Sequence, residues 1–184
     1  MNISKANVRF SGSRLLGEGV VQLERRLSDL AGIFADDAAY AAARRDEVVY
    51  RVESFEPVGG GIAGGLFFGV THLLPGTIGD EYFMTKGHYH DLLDRGEFYW
   101  GIAGEGLLVL MDAERRSRVE EVHPGSVHYV PGHTAHRLVN TGSDILDVGA
   151  CWPSDAGHDY DSITDRGFSI RIFEGESGPE ITEQ

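Results

Sequence analysis

Gly87-His88-Tyr89-His90 sets two imidazoles two residues apart. On an extended strand, positions i and i+2 share one face about 6–7 Å apart along the chain, so both rings can reach a single ion. The polar turn Asp91-Leu92-Leu93-Asp94-Arg95-Gly96 then reverses the chain and delivers Glu97 beside the pair, with Tyr99 on the same face. A third imidazole comes from a distant strand: Gly125-Ser126-Val127-His128-Tyr129-Val130-Pro131 leads to His136 and, four residues on, Asn140. Three neutral nitrogens and a carboxylate leave one or two positions open on a first-row divalent ion, which makes the site catalytic or substrate-binding rather than purely structural. An isolated His-x-His is more often a chance pair on a polar face, but here it stands in an ordered set with Glu97, Gly104, Gly125, Pro131, His136 and Asn140.

The elements that must position these residues read as β. Val48–Val52, Leu66–Leu74, Phe98–Trp100, Leu107–Met111, Val127–Val130, His136–Val139 and Ile145–Val148 are short runs of β-branched and aromatic residues, most of them bounded by glycine, proline or a polar turn. Strands in such number without helices between them predict an antiparallel sandwich or barrel. Twenty-five glycines against six prolines fit the tight turns that such a fold needs. Before Asp46 the texture is partly helical, at Arg25–Leu30 and again at Asp36–Arg45, where Asp36 and Asp37 suit an N-cap and first turn while Arg44 and Arg45 suit a last turn. The chain therefore divides into an N-terminal arm over 1–46 that packs on the barrel or on a partner subunit, a barrel over 47–174, and an acidic tail over 175–184 expected to fray. Trp100, Phe67 and Phe68 are expected in the core, Cys151 as a buried inert thiol, and His72, His123 and His128 as satisfied strand or turn residues.

At 184 residues the chain suits one domain. Its net charge of −13 excludes nucleic acid and anionic membrane surfaces as partners, since both begin with clustered Lys and Arg. An anionic small substrate remains compatible, because an ion and a few local donors can reverse the field inside one pocket. A single cysteine, an opening Met1-Asn-Ile-Ser-Lys without a basic segment and apolar run, and no apolar stretch near the length of a membrane span place the expectation in the cytoplasm.

The two histidine blocks resemble the two signature motifs of the cupin superfamily, with a longer gap between His90 and Glu97 than the general first motif has and His133 where a glycine usually follows Pro-x. The fold this implies is all-β, a double-stranded β-helix (cupin or jelly-roll barrel) with a short, partly helical N-terminal arm. Thr71 through His90, with Pro75-Gly76-Thr77 and Thr85-Lys86-Gly87-His88, followed by Gly96-Glu97-Phe98-Tyr99, is similar to the cupin-type glucose-6-phosphate isomerases best known from archaea, in which the longer gap is usual. The likeness spans roughly residues 27–173. It implies the same metal ligands, His88, His90, Glu97 and His136, and one divalent transition metal per subunit, iron(II) first, with manganese(II), nickel(II), cobalt(II) and zinc(II) compatible with the donor set. It also implies that Thr71, Thr85, Gly87, His158 and Tyr160 hold a sugar phosphate with Tyr99 lining the pocket, and that the protein is a homodimer. Lys86 or Arg51 could add charge for the phosphate, although alternation turns Lys86 away from Thr85 and Gly87. Arg95, His133 and Trp152 stand where tyrosine would be unsurprising in that family.

The reaction so implied is the interconversion of glucose 6-phosphate and fructose 6-phosphate, with Glu97 and His158 as candidate catalytic residues. Glu97 either removes the C2 proton or serves only as a ligand while hydride shifts, and His158 or His133 assists ring opening. Two other classes fit the same residues: another cupin enzyme, whether an isomerase or epimerase on a different sugar phosphate or an iron oxygenase, and a non-catalytic sugar-phosphate-binding cupin.

Overall fold

Runs rich in β-branched and aromatic residues pair only when a neighbouring strand offers its backbone groups, and along this chain nearly every run finds one. The computed structural model describes residues 2–164 and 166–184. In chain order the strands are β1 (Val8–Ser11), β2 (Arg14–Gly17), β3 (Val20–Arg26), β4 (Val48–Phe55), β5 (Leu66–Leu73), β6 (Thr77–Ile78), β7 (Glu81–Tyr82), β8 (Glu97–Ala103), β9 (Gly106–Met111), β10 (Ser117–Val122), β11 (Val127–Val130), β12 (Ala135–Asn140), β13 (Leu146–Pro153), β14 (Ile170–Gly175) and β15 (Gly178–Glu183). Helix is confined to a 3₁₀ turn over Leu27–Leu30, α1 (Asp37–Ala42) and α2 (Asp161–Thr164) among the described residues.

One sheet runs in the order β11-β8-β13-β5-β4-β3 and a second in the order β10-β9-β12. Bridges Met84↔Val139 and His88↔His136 set the segment 84–88 beside β12 and so give the second sheet a fourth member. The strand sets β11-β8-β13-β5 and β10-β9-β12-(84–88) are the two halves of a jelly roll. The double-stranded β-helix of a cupin barrel, expected from the sequence, is the fold that forms. Between and beneath the sheets lie Leu73, Met84, Leu108, Leu110, Val130, Leu138, Leu146 and Val148, all buried. Strands β9 and β12 are buried at every residue, because their second face is covered in turn by the arm and the C-terminal strands; Phe168, for example, lies under the Arg137 guanidinium at 4.0 Å.

Two buried polar side chains tie this frame together. The Asn140 amide nitrogen donates to the carbonyls of Leu73 (2.8 Å) and Asp144 (2.9 Å), and its oxygen accepts from Gly142 N–H (3.0 Å); a buried backbone group left unpaired costs about 1–3 kcal/mol. The Glu81 carboxylate accepts from Arg171 (2.8 and 3.0 Å) and from Ala35 N–H (2.7 Å), joining the arm, β7 and β14.

Several expectations are corrected. Arg25 and Arg26 end strand β3 rather than begin a helix, since Val20–Arg26 pairs with β4 and long-range pairing overrides local propensity. Asp36 does cap α1, accepting from Ala38 and Ala39 N–H, but the helix ends at Ala42, and Arg45 lies 4.0 Å over the Tyr40 ring instead of closing a last turn. The tail does not fray: β15 pairs along its whole length with β14. Phe68 and Trp100 lie on the outer face of the larger sheet, tilted together at 5.1 Å, and only Phe67 is buried. Cys151 shares that outer face and is half-buried.

Candidate metal centre and active site

His88 and His90 leave the chain just before the polar turn, Glu97 opens β8, and His136 is the second residue of β12. The antiparallel bridge between His88 and His136, with N–H···O contacts of 3.3 and 3.1 Å in the two directions, fixes two of the imidazole-bearing backbones side by side. All four side chains offer ligand atoms that lie within 4.8 Å of one another. The His90 Nδ1 meets the Arg95 carbonyl at 2.8 Å and the His136 Nδ1 faces the Thr134 carbonyl at 3.3 Å, which leaves each Nε2 turned to the centre, the orientation that a ligating imidazole needs.

The charges match this arrangement. Burial, then the facing His136, His158 and His90 rings, holds His88 well below the ordinary imidazole range, so it stands as a neutral nitrogen donor. Burial alone would raise the Glu97 carboxyl, but His136 and His90 outweigh it and hold the group at about 2. His90 is raised because Glu97 more than offsets the effect of burial. The Glu97 Oε1 and the His136 Nε2 lie 2.5 Å apart in an orientation that makes no hydrogen bond, the His90 Nε2 stands 3.6 Å from the same oxygen, and that oxygen and the His136 Nε2 are both buried without a hydrogen-bond partner among the described residues. Buried polar atoms left unpaired in this way are costly, and a cation shared by both removes the cost. The donor set fits a divalent ion.

The residues expected around the substrate fall into two groups. The Tyr99 ring lies 5.7 Å from that of His136, and burial, with Glu97 beside it, pushes the phenol well above its usual range, so it remains a proton donor. The His158 ring is 4.5 Å from that of His88 and stacks on Tyr160 at 6.0 Å; burial lowers His158 below the ordinary range. Thr71 shares the inward side of β5 with buried Leu73. The Thr85 hydroxyl accepts from Leu138 N–H at 3.0 Å, leaving its O–H free to donate. Gly87 and Tyr160 border a cavity of about 350 Å³ together with Asp29, Lys86, Arg137, Arg166 and Arg171, and none of the four ligand residues lines it.

Other expectations resolve differently. The Lys86 ammonium lies 4.6 Å over the ring of Tyr160, which itself stacks on His158. Arg51 points outward to Glu24 at 3.0 Å and lends no charge to the site. His133 is an exposed turn residue with φ 59°, its N–H donating to Leu93, and is not a pocket group. Trp152 meets Phe67 edge-on at 5.9 Å. His128 is satisfied at both ring nitrogens, by Glu120 (2.7 Å) and Ser126 (2.8 Å), whereas His72 is held by Asp147 at 2.6 Å only through Nδ1 and its buried Nε2 has no hydrogen-bond partner among the described residues, against the expectation of a satisfied residue. Sequence reasoning missed Tyr50, whose hydroxyl accepts from Lys86 N–H at 3.5 Å and which burial pushes up to about 12. Its pairing opposite Leu73, one strand from Thr71, was visible in principle as alternation along β4. Arg137 was also missed: it is buried, donating to the Lys86 carbonyl (2.9 Å) and the Met84 sulfur (2.9 Å).

The family model described as Glucose-6-phosphate isomerase (GPI) matches residues 24–182. A protein of Thermococcus onnurineus named glucose-6-phosphate isomerase is 46% identical over 157 residues, 85% of this chain and 82% of that protein. Its namesake in Thermococcus kodakarensis is 43% identical over 166 residues, 90% of this chain and 87% of that protein. Among solved structures, oxalate decarboxylase from Bacillus subtilis overlaps 59% of this chain and 26% of that chain at 18% identity with a TM-score of 0.47.

Proposed function

Since the chain belongs to the glucose-6-phosphate isomerase (GPI) family, we propose that it interconverts glucose 6-phosphate and fructose 6-phosphate in the cytoplasm, using one divalent ion held by His88, His90, Glu97 and His136. The observation that carries the metal part of this reading is the buried, unpaired pair of donor atoms on Glu97 and His136 within a four-residue ligand set. Iron(II) is the first choice, with manganese(II), nickel(II), cobalt(II) and zinc(II) the alternatives that the same donors accept.

Such an ion, when bound, supplies positive charge that stabilises an oxygen anion developing on the substrate. The chain's own residues do the rest. A carboxylate that holds a divalent ion is a weaker base than a free one, so Glu97 acts chiefly as a ligand. His158, buried and neutral beside His88, takes up or returns a proton at a ring nitrogen during ring opening. The Tyr99 hydroxyl, kept protonated, donates a hydrogen bond to a substrate oxygen. Thr71, Thr85, Gly87 and Tyr160 hold the phosphate end, where the Lys86 ammonium over the Tyr160 ring favours an anion.

The test is turnover of fructose 6-phosphate to glucose 6-phosphate after chelation and after re-addition of each ion separately. We expect activity to vanish on chelation and to return with one ion or more. Metal-loaded protein that binds either sugar phosphate without turning it over would overturn the isomerase reading in favour of a binding cupin.

The homodimer is part of the same proposal. Phe98, Val127 and Tyr129 are 53%, 70% and 53% exposed on one outer sheet face, continuous with Phe68 and Trp100, and a second copy of the chain would cover them. Sedimentation should give twice the chain mass, and Phe98→Asp should shift it toward the monomer; a wild-type monomer at micromolar concentration would reject the dimer.

A further inference from the structure

Resting on the isomerase reading above, we propose that Arg95 is a positioning residue that couples the metal ligands to the substrate-facing segment: its carbonyl sets the His90 ring, and its guanidinium grips Asp155 to hold His158 over the site.

Arg95 is bound at both ends. Its main-chain oxygen meets His90 Nδ1 at 2.8 Å. Its side chain forms a two-pronged contact with Asp155, Nε to Oδ1 at 3.0 Å and Nη2 to Oδ2 at 2.8 Å, across sixty residues of sequence. Nη1 also donates to Asp94 at 2.8 Å. The Asp155 side chain is only 8% exposed, and Arg95 beside it holds its carboxyl below the usual range. A planar fork meeting a carboxylate in this way fixes direction as well as distance.

The gripped segment is the one that carries His158 and Tyr160. Leu92 N–H donates to the Ala156 carbonyl at 3.0 Å, and Tyr89 and Asp159 exchange N–H···O bonds of 3.1 and 2.8 Å. Segment 155–159 is therefore sewn to segment 89–95 by main-chain bonds at 89/159 and 92/156 and by one side-chain clamp at 95/155. Gly157 completes the seam, since a Cβ there would collide with the Asp91 carboxylate. The main-chain bonds set the segment's height, and the clamp fixes the end next to the polar turn. Without the clamp, the loop that bears His158 keeps its attachment but loses its aim.

Such a role predicts a split that a structural ion pair would not give. Partly solvent-facing ion pairs add little to stability, whereas small misplacements of a site group cost up to about a hundredfold in rate. Arg95→Met keeps the carbonyl that orients His90 and removes only the grip. We expect it to bind cobalt(II) alone within about threefold of wild type and to melt within a few degrees of it, while kcat/KM for fructose 6-phosphate falls about tenfold or more. Asp155→Asn should do the same, and the double variant should be no worse than either single one, because both remove one interaction. Arg95→Lys should recover only part of the loss, since an ammonium cannot make the two-pronged contact.

A readout independent of turnover is the His158 imidazole resonance. It should shift or broaden in Arg95→Met and stay in place in Arg44→Met, which removes an exposed ion pair to Asp46 in the N-terminal arm. Unchanged kinetics and an unmoved His158 resonance in Arg95→Met would overturn the coupling, as would strictly additive effects in the double variant. A wild-type protein without turnover, in which the His158 resonance nevertheless moves in Arg95→Met, would defeat the isomerase reading and leave the clamp standing.

Discussion

His136→Ala should lower kcat/KM for fructose 6-phosphate by at least about a thousandfold and leave the purified protein with little bound metal. The size follows from the arrangement. A divalent ion contributes several kcal/mol of charge stabilisation to an anionic transition state, and each 1.36 kcal/mol is about tenfold in rate. His136 is the ligand whose loss leaves the most undone: it faces Glu97 at 2.5 Å, and its backbone bridges His88. Without it, Glu97 keeps a buried charge opposed only by His90 at 3.6 Å. The Glu97 carboxyl would lose the first of the two imidazoles that hold it down, and a ligand set short of one donor binds its ion less well. Metal content by elemental analysis, read beside the melting temperature, separates loss of the ion from loss of the fold. A His136→Ala protein that held a full equivalent of metal and turned over within tenfold of wild type would sink the four-ligand site.

The ligand set was legible in the sequence because its geometry is local and periodic. His88 and His90 need only the two-residue repeat of a strand, and Glu97 needs only a turn to bring it back beside them. His136 is the long-range member, and it was found by the order of the motif rather than by any local rule. What stayed hidden depends on which strand lies beside which. Val20–Arg26 carries two arginines and a leucine at helix-compatible spacing, yet it pairs with β4 because that strand would otherwise expose its ladder. Ser117–Val122, with its charged Arg118, Glu120 and Glu121, is not among the strand runs legible in the sequence and forms an edge strand against β9, a place where charge discourages unwanted pairing. Arg51 and Tyr50 are neighbours in sequence, and only the register of β4 with β5 decides that Tyr50 faces inward while Arg51 reaches out to Glu24. Arg137 follows a metal ligand and so must point to the far side of the strand, but that this far side is itself roofed by Phe168 is a fact of the tertiary fold.

Gly87→Ala tests how strongly the backbone beside the site is constrained, and it should be the most destabilising of the single substitutions proposed for this protein. Two independent costs meet there. The residue has φ of 74°, a conformation that alanine adopts at a cost of about 1–3 kcal/mol. A Cβ would also stand 2.6 Å from the Phe168 ring and 3.1 Å from the Arg137 Cβ, and Phe168 is fully buried with no room to withdraw; overpacking of that kind costs about 1–3 kcal/mol. Together they come to about 3 kcal/mol, which for a chain of this length lowers the melting temperature by about 6–12 °C. Activity should fall by about a hundredfold as well, because relieving the clash moves the backbone that carries His88, and small misplacements of a site group are costly in rate. The double variant Gly87→Ala/Phe168→Leu divides the two causes: it should relieve the overpacking while leaving the φ cost in place, and so stand above the sum of the single effects. Strict additivity of the two substitutions would show that the ring is not what opposes the new methyl group. A Gly87→Ala protein that melts within two degrees of wild type would show that neither the φ constraint nor the ring contact holds this segment.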